Sequence, residues 1–212
     1  IDEGDFADSR SADDLTEYLG LIKSEAFRCK TITTGLLDFS RVRTGERTLT
    51  DIGEVVRSAA NLVSHQKRGN HVSITVDVAP DLPLVNSDGG QIQQAVIILA
   101  TNAIDAMPEG GQLTFRVFEQ RSRLVIEVAD TGTGIPPENM SKIYEPFFTT
   151  KEVGNGTGLG LAVCYGIISE HGGRLNVRSS VGVGTTFSIF VPTVNSRESR
   201  VESRESGVEG RD

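Results

Sequence analysis

Two glycine-rich segments stand out: Asp130-Thr131-Gly132-Thr133-Gly134-Ile135 and Gly154-Asn155-Gly156-Thr157-Gly158-Leu159-Gly160-Leu161. Glycine lets a main chain come close to a phosphate or a base, because no Cβ stands in the way. A helix beginning near Gly158 would also offer an anion its unpaired N–H groups and the positive end of its dipole. Neither segment is a Gly-x-x-x-x-Gly-Lys-Ser/Thr phosphate loop. The first runs into Pro136-Pro137 rather than a helix, which excludes a dinucleotide-binding βαβ unit. Asn102 is a third element, an amide inside an apolar helical pattern with Asp105 three residues on. Helix patterning alone favours an exposed polar pair here. The chemical reading makes the Asn102 oxygen a hard ligand for Mg²⁺ held between protein and phosphates.

Other reactive side chains are less suggestive. His65, His71 and His171 lack a metal-ligand spacing, and His171 precedes Gly172-Gly173 at a helix end, where an imidazolium would complement the dipole. Cys29 and Cys164 each fall within an apolar helical pattern and read as buried small side chains. Two distant cysteines do not make a disulfide framework, and a reducing cytoplasm is the compartment they fit.

Periodicity shows what must hold these groups. Leu15, Leu19, Ile22, Ala26, Cys29, Thr33, Leu36 and Ser40 step by four and three, predicting one long helix over residues 13–43. Ile32, Leu37 and Phe39 widen its apolar face, as a multi-helix bundle requires. Gly45 stops the helix, Thr48-Leu49-Thr50 reads as a short strand, and Asp51 caps a further helix with Glu54 three residues on. Val72, Ile74, Val76 and Val78 alternate at the strand period, up to Pro80 and Pro83. Gly89-Gly90 opens an apolar helix that Pro108 and Gly110-Gly111 close.

Leu113-Phe115-Val117 and Leu124-Ile126-Val128 read as a hairpin joined through Gln120-Arg121-Ser122. Residues 159–170 return to helix, and strands follow at 174–179 and 185–191. Residues 131–157 form a loop too long to be a simple connection, which points to function. The order predicts an α/β two-layer sandwich: a mostly antiparallel mixed sheet with helices on one face, preceded by the long helix.

The net charge of −8 is uneven, because residues 1–17 set seven acids against Arg10 alone. The middle of the chain is near neutral and has no basic stripe, which argues against a nucleic-acid surface. No apolar run is long enough to span a membrane, and the acidic start is unlike a signal peptide. The repeated Ser-Arg-Glu-Ser of the tail has little to bury and is expected to be disordered.

Taken in order, residues 94–107, 130–136, 144–151 and 154–161 match the N, G1, F and G2 boxes of one family. The chain resembles the catalytic ATP-binding (GHKL) domain of bacterial sensor histidine kinases, in the superfamily shared with gyrase, Hsp90 and MutL. Most specific is Glu145-Pro146-Phe147-Phe148-Thr149-Thr150-Lys151 followed by Gly-Thr-Gly-Leu-Gly-Leu. The likeness covers residues 48–193. The stretch from Phe27 to Arg41 is similar to the second helix of the family's dimerisation and phosphotransfer bundle.

The resemblance implies residues 1–46 as part of that bundle, 47–194 as the ATP-binding domain and 195–212 as the tail. It implies ATP or ADP with Mg²⁺, a homodimer through the bundle helix, and a response-regulator receiver domain as partner. Asp130 would accept a hydrogen bond from the adenine amino group, Gly132, Gly134 and Ile135 would wall the base, and Thr185 would reach it through water. Asn102 would ligate the metal, with Asp105 and Ala106 beside it. Thr150, Lys151 and the turn Gly156, Thr157, Gly158, Leu159, Gly160, Leu161 would hold the phosphates. Residues 137–157 would be a lid, anchored by packing of Phe147 and Phe148. None of the histidines stands in the family's acceptor context, so the acceptor would belong to a preceding helix. One position departs from the pattern: Ile98 stands where the kinases have the first N-box asparagine. That departure raises the alternative of a non-catalytic nucleotide-binding module.

Overall fold

The computed structural model describes residues 15–20, 22, 46–65, 71–151 and 156–194. Most of the expected bundle helix, Cys29, Gly154, Asn155 and the tail lie outside the described residues. Residues 15–20 are helical, and Leu15, Tyr18, Leu19 and Ile22 are exposed.

From residue 46 on, the described residues form seven strands and three α-helices: β1 (Thr48–Thr50), α1 (Ile52–His65), β2 (Val72–Val78), β3 (Val85–Ser87), α2 (Gly89–Asp105), β4 (Gly111–Gln120), β5 (Arg123–Asp130), α3 (Gly160–Glu170), β6 (Arg174–Ser180) and β7 (Gly184–Pro192). Five strands form a sheet in the order β2-β4-β5-β7-β6, with β2 parallel to β4 and the other pairs antiparallel. β1 and β3 make a separate two-stranded ribbon. The expected mixed, mostly antiparallel sheet is therefore present.

The hairpin from β4 to β5 closes through Arg121 and Ser122, both at positive φ, as a two-residue turn matched to strand twist requires. α1 begins as expected, with the Glu54 N–H donating to Asp51 Oδ1 at 3.2 Å. α2 has a cap that the glycines obscured in the sequence. Asp88 Oδ1 accepts from the Gly90 and Gln91 N–H groups at 2.9 and 3.1 Å.

One face of the sheet is covered by helices. Leu113 and Phe115 of β4, Leu124 and Ile126 of β5 and Ile189 of β7 meet Ile92, Val96 and Leu99 of α2 in a fully buried core. Each such side chain contributes about 1.5–3 kcal/mol on burial. Where the chain enters from the preceding segment, Arg47 donates to the Glu170 carbonyl at 2.6 Å and so caps the C-terminus of α3.

Candidate functional site

Three inward rows of apolar side chains turn polar at the same end of the sheet. Leu124, Ile126 and Val128 of β5 are followed by Asp130; Val191, Ile189 and Phe187 of β7 lead back to Thr185; Leu175 and Val177 of β6 lead to Ser179. Strand register sets Ser179 against Thr185 and Val128 against Phe187. Asp130, Thr185 and Ser179 thus cap the core as one polar cluster. Ser179 carries a signal that sequence analysis missed, a polar residue continuing an inward apolar row.

The cluster is tightly wired. Asp130 Oδ1 accepts from Gly132 N–H at 2.8 Å and Thr185 N–H at 3.1 Å, which leaves Oδ2 without a partner among the described residues. Burial raises the Asp130 carboxyl above its ordinary value, and those two N–H groups oppose the shift. The Ser179 and Thr185 hydroxyls lie 2.9 Å apart, and Ser179 Oγ also accepts from Ile135 N–H at 2.8 Å.

Glycine is required at two of these positions. A Cβ on Gly132 would come within 2.6 Å of the Ala106 carbonyl oxygen, which is why the first glycine cluster can lie on the end of α2. Gly134, at φ +73, would strike the Ser180 carbonyl. Thr133 N–H donates to Ala106 O at 3.0 Å and completes that junction. Expected base-walling residues Gly132, Gly134 and Ile135 are thereby brought together with Asp130, Thr185 and Ala106.

Residues expected at the phosphates form a second group. Lys151 Nζ lies 2.6 Å from Asp105 Oδ2, which links the loop to the C-terminal end of α2. With Lys151 and Asp105 34% and 52% exposed, the pair contributes little to stability and leaves the ammonium accessible. Gly158, at φ +67, packs its backbone on that of Phe147, whose N–H donates to the Gly158 carbonyl at 3.0 Å. Phe148 packs on the core as expected, but Phe147 is 56% exposed. Phe147 therefore anchors the loop by its backbone and not, as the resemblance implied, by packing its ring. Thr150 is exposed beside Lys151.

Asn102 is half-buried near the C-terminal end of α2, and no cluster of three or more His, Cys, Asp or Glu side chains able to hold a metal occurs among the described residues. That donor set fits a Mg²⁺ ion that takes most of its ligands from phosphate and water. Ile98 packs on the core and lies against Gly160, where a Cβ would come within 3.2 Å of its Cγ2. Two buried groups nearby are chemically quiet. Burial pushes the Cys164 thiol up to about 12, and burial with Cys164 and Tyr165 alongside pushes Tyr144 up to about 12. His171 stands at the C-terminal end of α3 as expected, but it is only 4% exposed and is hydrogen-bonded through both ring nitrogens, Nδ1 to the Ile167 carbonyl and Nε2 to the Asp88 N–H.

Comparison with known proteins gives this arrangement a family. Residues 87–195, half of the chain, match the family described as histidine kinase-, DNA gyrase B-, and HSP90-like ATPase. The chain belongs to that family. It is 43% identical over 186 residues to sensor kinase CckA of Brucella abortus, covering 81% of this chain and 20% of that protein. It is 33% identical over 189 residues to sporulation kinase E of Bacillus subtilis, covering 88% of this chain and 25% of that protein. The chain thus spans a quarter or less of the length of these two relatives. Among solved structures, the catalytic domain of histidine kinase ThkA superposes with a TM-score of 0.63 at 31% identity, over 70% of this chain and 97% of that one. Full-length ShkA in complex with AMPPNP superposes with a TM-score of 0.70 at 26% identity, over 84% of this chain and 38% of that one. The alternative of a non-catalytic module finds no support: the relatives are named as kinases, and Ile98 has a packing role. Among the described residues no helix is long and apolar enough to cross a membrane.

Proposed function

We propose that this chain binds Mg-ATP and serves as the catalytic ATP-binding part of a two-component sensor histidine kinase. In this reading, residues 47–194 are the ATP-binding domain and residues 1–46 belong to a bundle through which the protein dimerises. The observation that carries the reading is Asp130, a partly desolvated carboxylate with Oδ1 held by two N–H groups and Oδ2 open. A fold keeps so costly a group where a ligand donates to it, and the adenine amino group is such a donor.

The rest of the ligand follows from the layout. Gly132, Gly134 and Ile135 line the base, and Thr185, held by Ser179, reaches it through water. Asn102, with Asp105 and Ala106 beside it, lies at the phosphate end of the pocket and would hold Mg²⁺. That ion supplies charge neutralisation on the phosphates when bound. Lys151 exchanges its Asp105 partner for the γ-phosphate, and the N–H groups at Gly156, Thr157, Gly158, Leu159, Gly160 and Leu161 receive the phosphate oxygens. The γ-phosphoryl then passes to a histidine nitrogen on a bundle helix outside this chain. Its bond to ADP breaks as the N–P bond forms, and positioning with charge neutralisation does most of the work.

Support for the further steps comes from the relatives. A solved complex joins the histidine kinase ThkA with the response regulator protein TrrA, at a TM-score of 0.69 and 28% identity to this chain. A receiver-domain aspartate is accordingly the proposed final acceptor, and the cytoplasm the proposed place of action. Titration calorimetry with ATP and Mg²⁺ tests the core of the reading: saturable binding that Asp130→Asn weakens supports it, and no binding by the folded chain refutes it.

A further inference from the structure

α2 and α3, the two helices that flank the site, pack antiparallel, and their contacts keep step. Farthest from the glycine turn, the Asp88 N–H donates to His171 Nε2 at 3.1 Å. Midway, the Cys164 thiol lies 3.8 Å from the Ala95 carbonyl oxygen. Nearer the site, Ile98 lies against Gly160. Asn102 follows one turn beyond Ile98 on α2, and Thr157 and Gly158 lead directly into Gly160 at the start of α3. The buried side chains between these points are apolar: Ala95, Val96 and Leu99 on α2, and Ala162, Val163 and Ile167 on α3. Apolar burial has no direction. Such a pair resists separation better than it resists a slide along its axis, so its register needs directional contacts.

His171 supplies a strong one. Its Nδ1 lies 2.8 Å from the carbonyl oxygen of Ile167, which can only accept, so Nδ1 carries the proton and Nε2 is the acceptor. That acceptor takes the N–H of Asp88, the residue whose carboxylate caps α2 through Gly90 and Gln91. The C-cap of one helix is thereby tied to the N-cap of the other, with His171 only 4% exposed. Loss of the Asp88 bond would leave Nε2 of that buried ring unsatisfied.

We propose that His171 is a positioning residue for the nucleotide site. By accepting the Asp88 N–H it fixes the axial register of α3 against α2, and with it the distance from the Gly158–Gly160 turn to Asn102. The inference rests on the nucleotide-binding reading above and adds to it a residue at the opposite ends of the same two helices.

Two substitutions separate the roles of the two ring nitrogens. Asparagine reaches the place of Nδ1 and still donates to the Ile167 carbonyl, but offers nothing to Asp88. Glutamine reaches the place of Nε2, where its carbonyl oxygen accepts the Asp88 N–H. ATP with Mg²⁺, and separately adenosine, are titrated into each variant well below its thermal midpoint, and amide hydrogen exchange is followed at residues 157–161. The expected result is a loss of ATP affinity of about fivefold or more in His171→Asn with adenosine affinity unchanged, and faster exchange at 157–161. His171→Gln is expected to stay within about twofold of the parent on both ligands. A purely structural histidine would lower the thermal midpoint without separating ATP from adenosine. Parent-like ATP affinity and exchange in His171→Asn overturn the proposal, as does equal damage in both variants. If the parent binds neither ligand, the nucleotide-binding reading fails, and exchange at 157–161 alone decides whether His171 sets the register.

Discussion

Gly160 lies directly against Ile98: a Cβ at Gly160 would come within 3.2 Å of Ile98 Cγ2. The first turn of α3 therefore packs closely on α2, with the glycine above and an apolar side chain below. This contact explains how an isoleucine is accommodated at a position where an asparagine was expected. Ile98→Asn removes packing from a half-buried site and is expected to cost about 1–3 kcal/mol of stability. It is also expected to strengthen the Mg²⁺ dependence of ATP binding, because it adds a polar partner for the ion's water shell. Calorimetry with and without Mg²⁺ checks this; unchanged dependence would show that Ile98 affects packing alone.

Asp130→Asn is expected to weaken ATP and adenosine alike by about 1–3 kcal/mol, the cost of losing a charged hydrogen bond to the base. Its effect on stability should depend on pH. Burial raises the Asp130 carboxyl above its ordinary 3.8, so between that value and the raised one the folded chain holds its proton more tightly than the unfolded chain does. The parent's stability contribution from this group is therefore greatest at low pH and falls as pH rises through that window. Urea unfolding from about pH 4 to about pH 7 should show the variant gaining on the parent as pH rises. A variant that loses ground instead would mean the carboxylate is there for stability rather than for a ligand.

Lys151→Ala is expected to lower stability by less than about 1 kcal/mol, since its ion pair with Asp105 is partly exposed. In the proposed reading Lys151 meets the phosphates, so ATP affinity should fall roughly tenfold while adenosine affinity is unchanged. Parallel titrations with the two ligands separate this outcome from that of Asp130→Asn. A loss shared by both ligands would place Lys151 at the base end.

Gly158→Ala forces an alanine into φ +67 and against the backbone of Phe147. A cost of about 1–2 kcal/mol in local stability is expected, and it should appear as weaker ATP binding with a small change in thermal midpoint. A midpoint drop without loss of ATP affinity would mean that this turn supports the fold and not the phosphates.

Much of the fold was legible in the sequence because its rows of apolar residues are uninterrupted. The alternation in β2, β4 and β5 and the apolar face of α2 each gave their element. β3 escaped because three residues just after Pro83 carry no period, and β4 begins at Gly111, which reads equally well as a helix stop. Within the site, the glycine clusters could be read because their residue types are unusual for their positions, whereas the role expected of Asp130 came from the family resemblance. The contacts between Lys151 and Asp105 and between the His171 ring and the Asp88 N–H could not be read, since they join groups far apart in the chain and depend on how helices pack. The packing that the resemblance implied for Phe147 fails because this residue takes a positive φ in the loop and its ring is exposed.

The proposed activity transfers phosphate from ATP to a histidine outside this chain. The direct measurement incubates the chain with γ-labelled ATP and Mg²⁺, with and without a separately supplied two-helix bundle bearing the family's acceptor histidine. The expected result is acid-labile label on the supplied bundle alone, abolished by Asp130→Asn at limiting ATP. Acid-labile label on His65, His71 or His171, or no label on the bundle from a chain that binds ATP, would contradict the account.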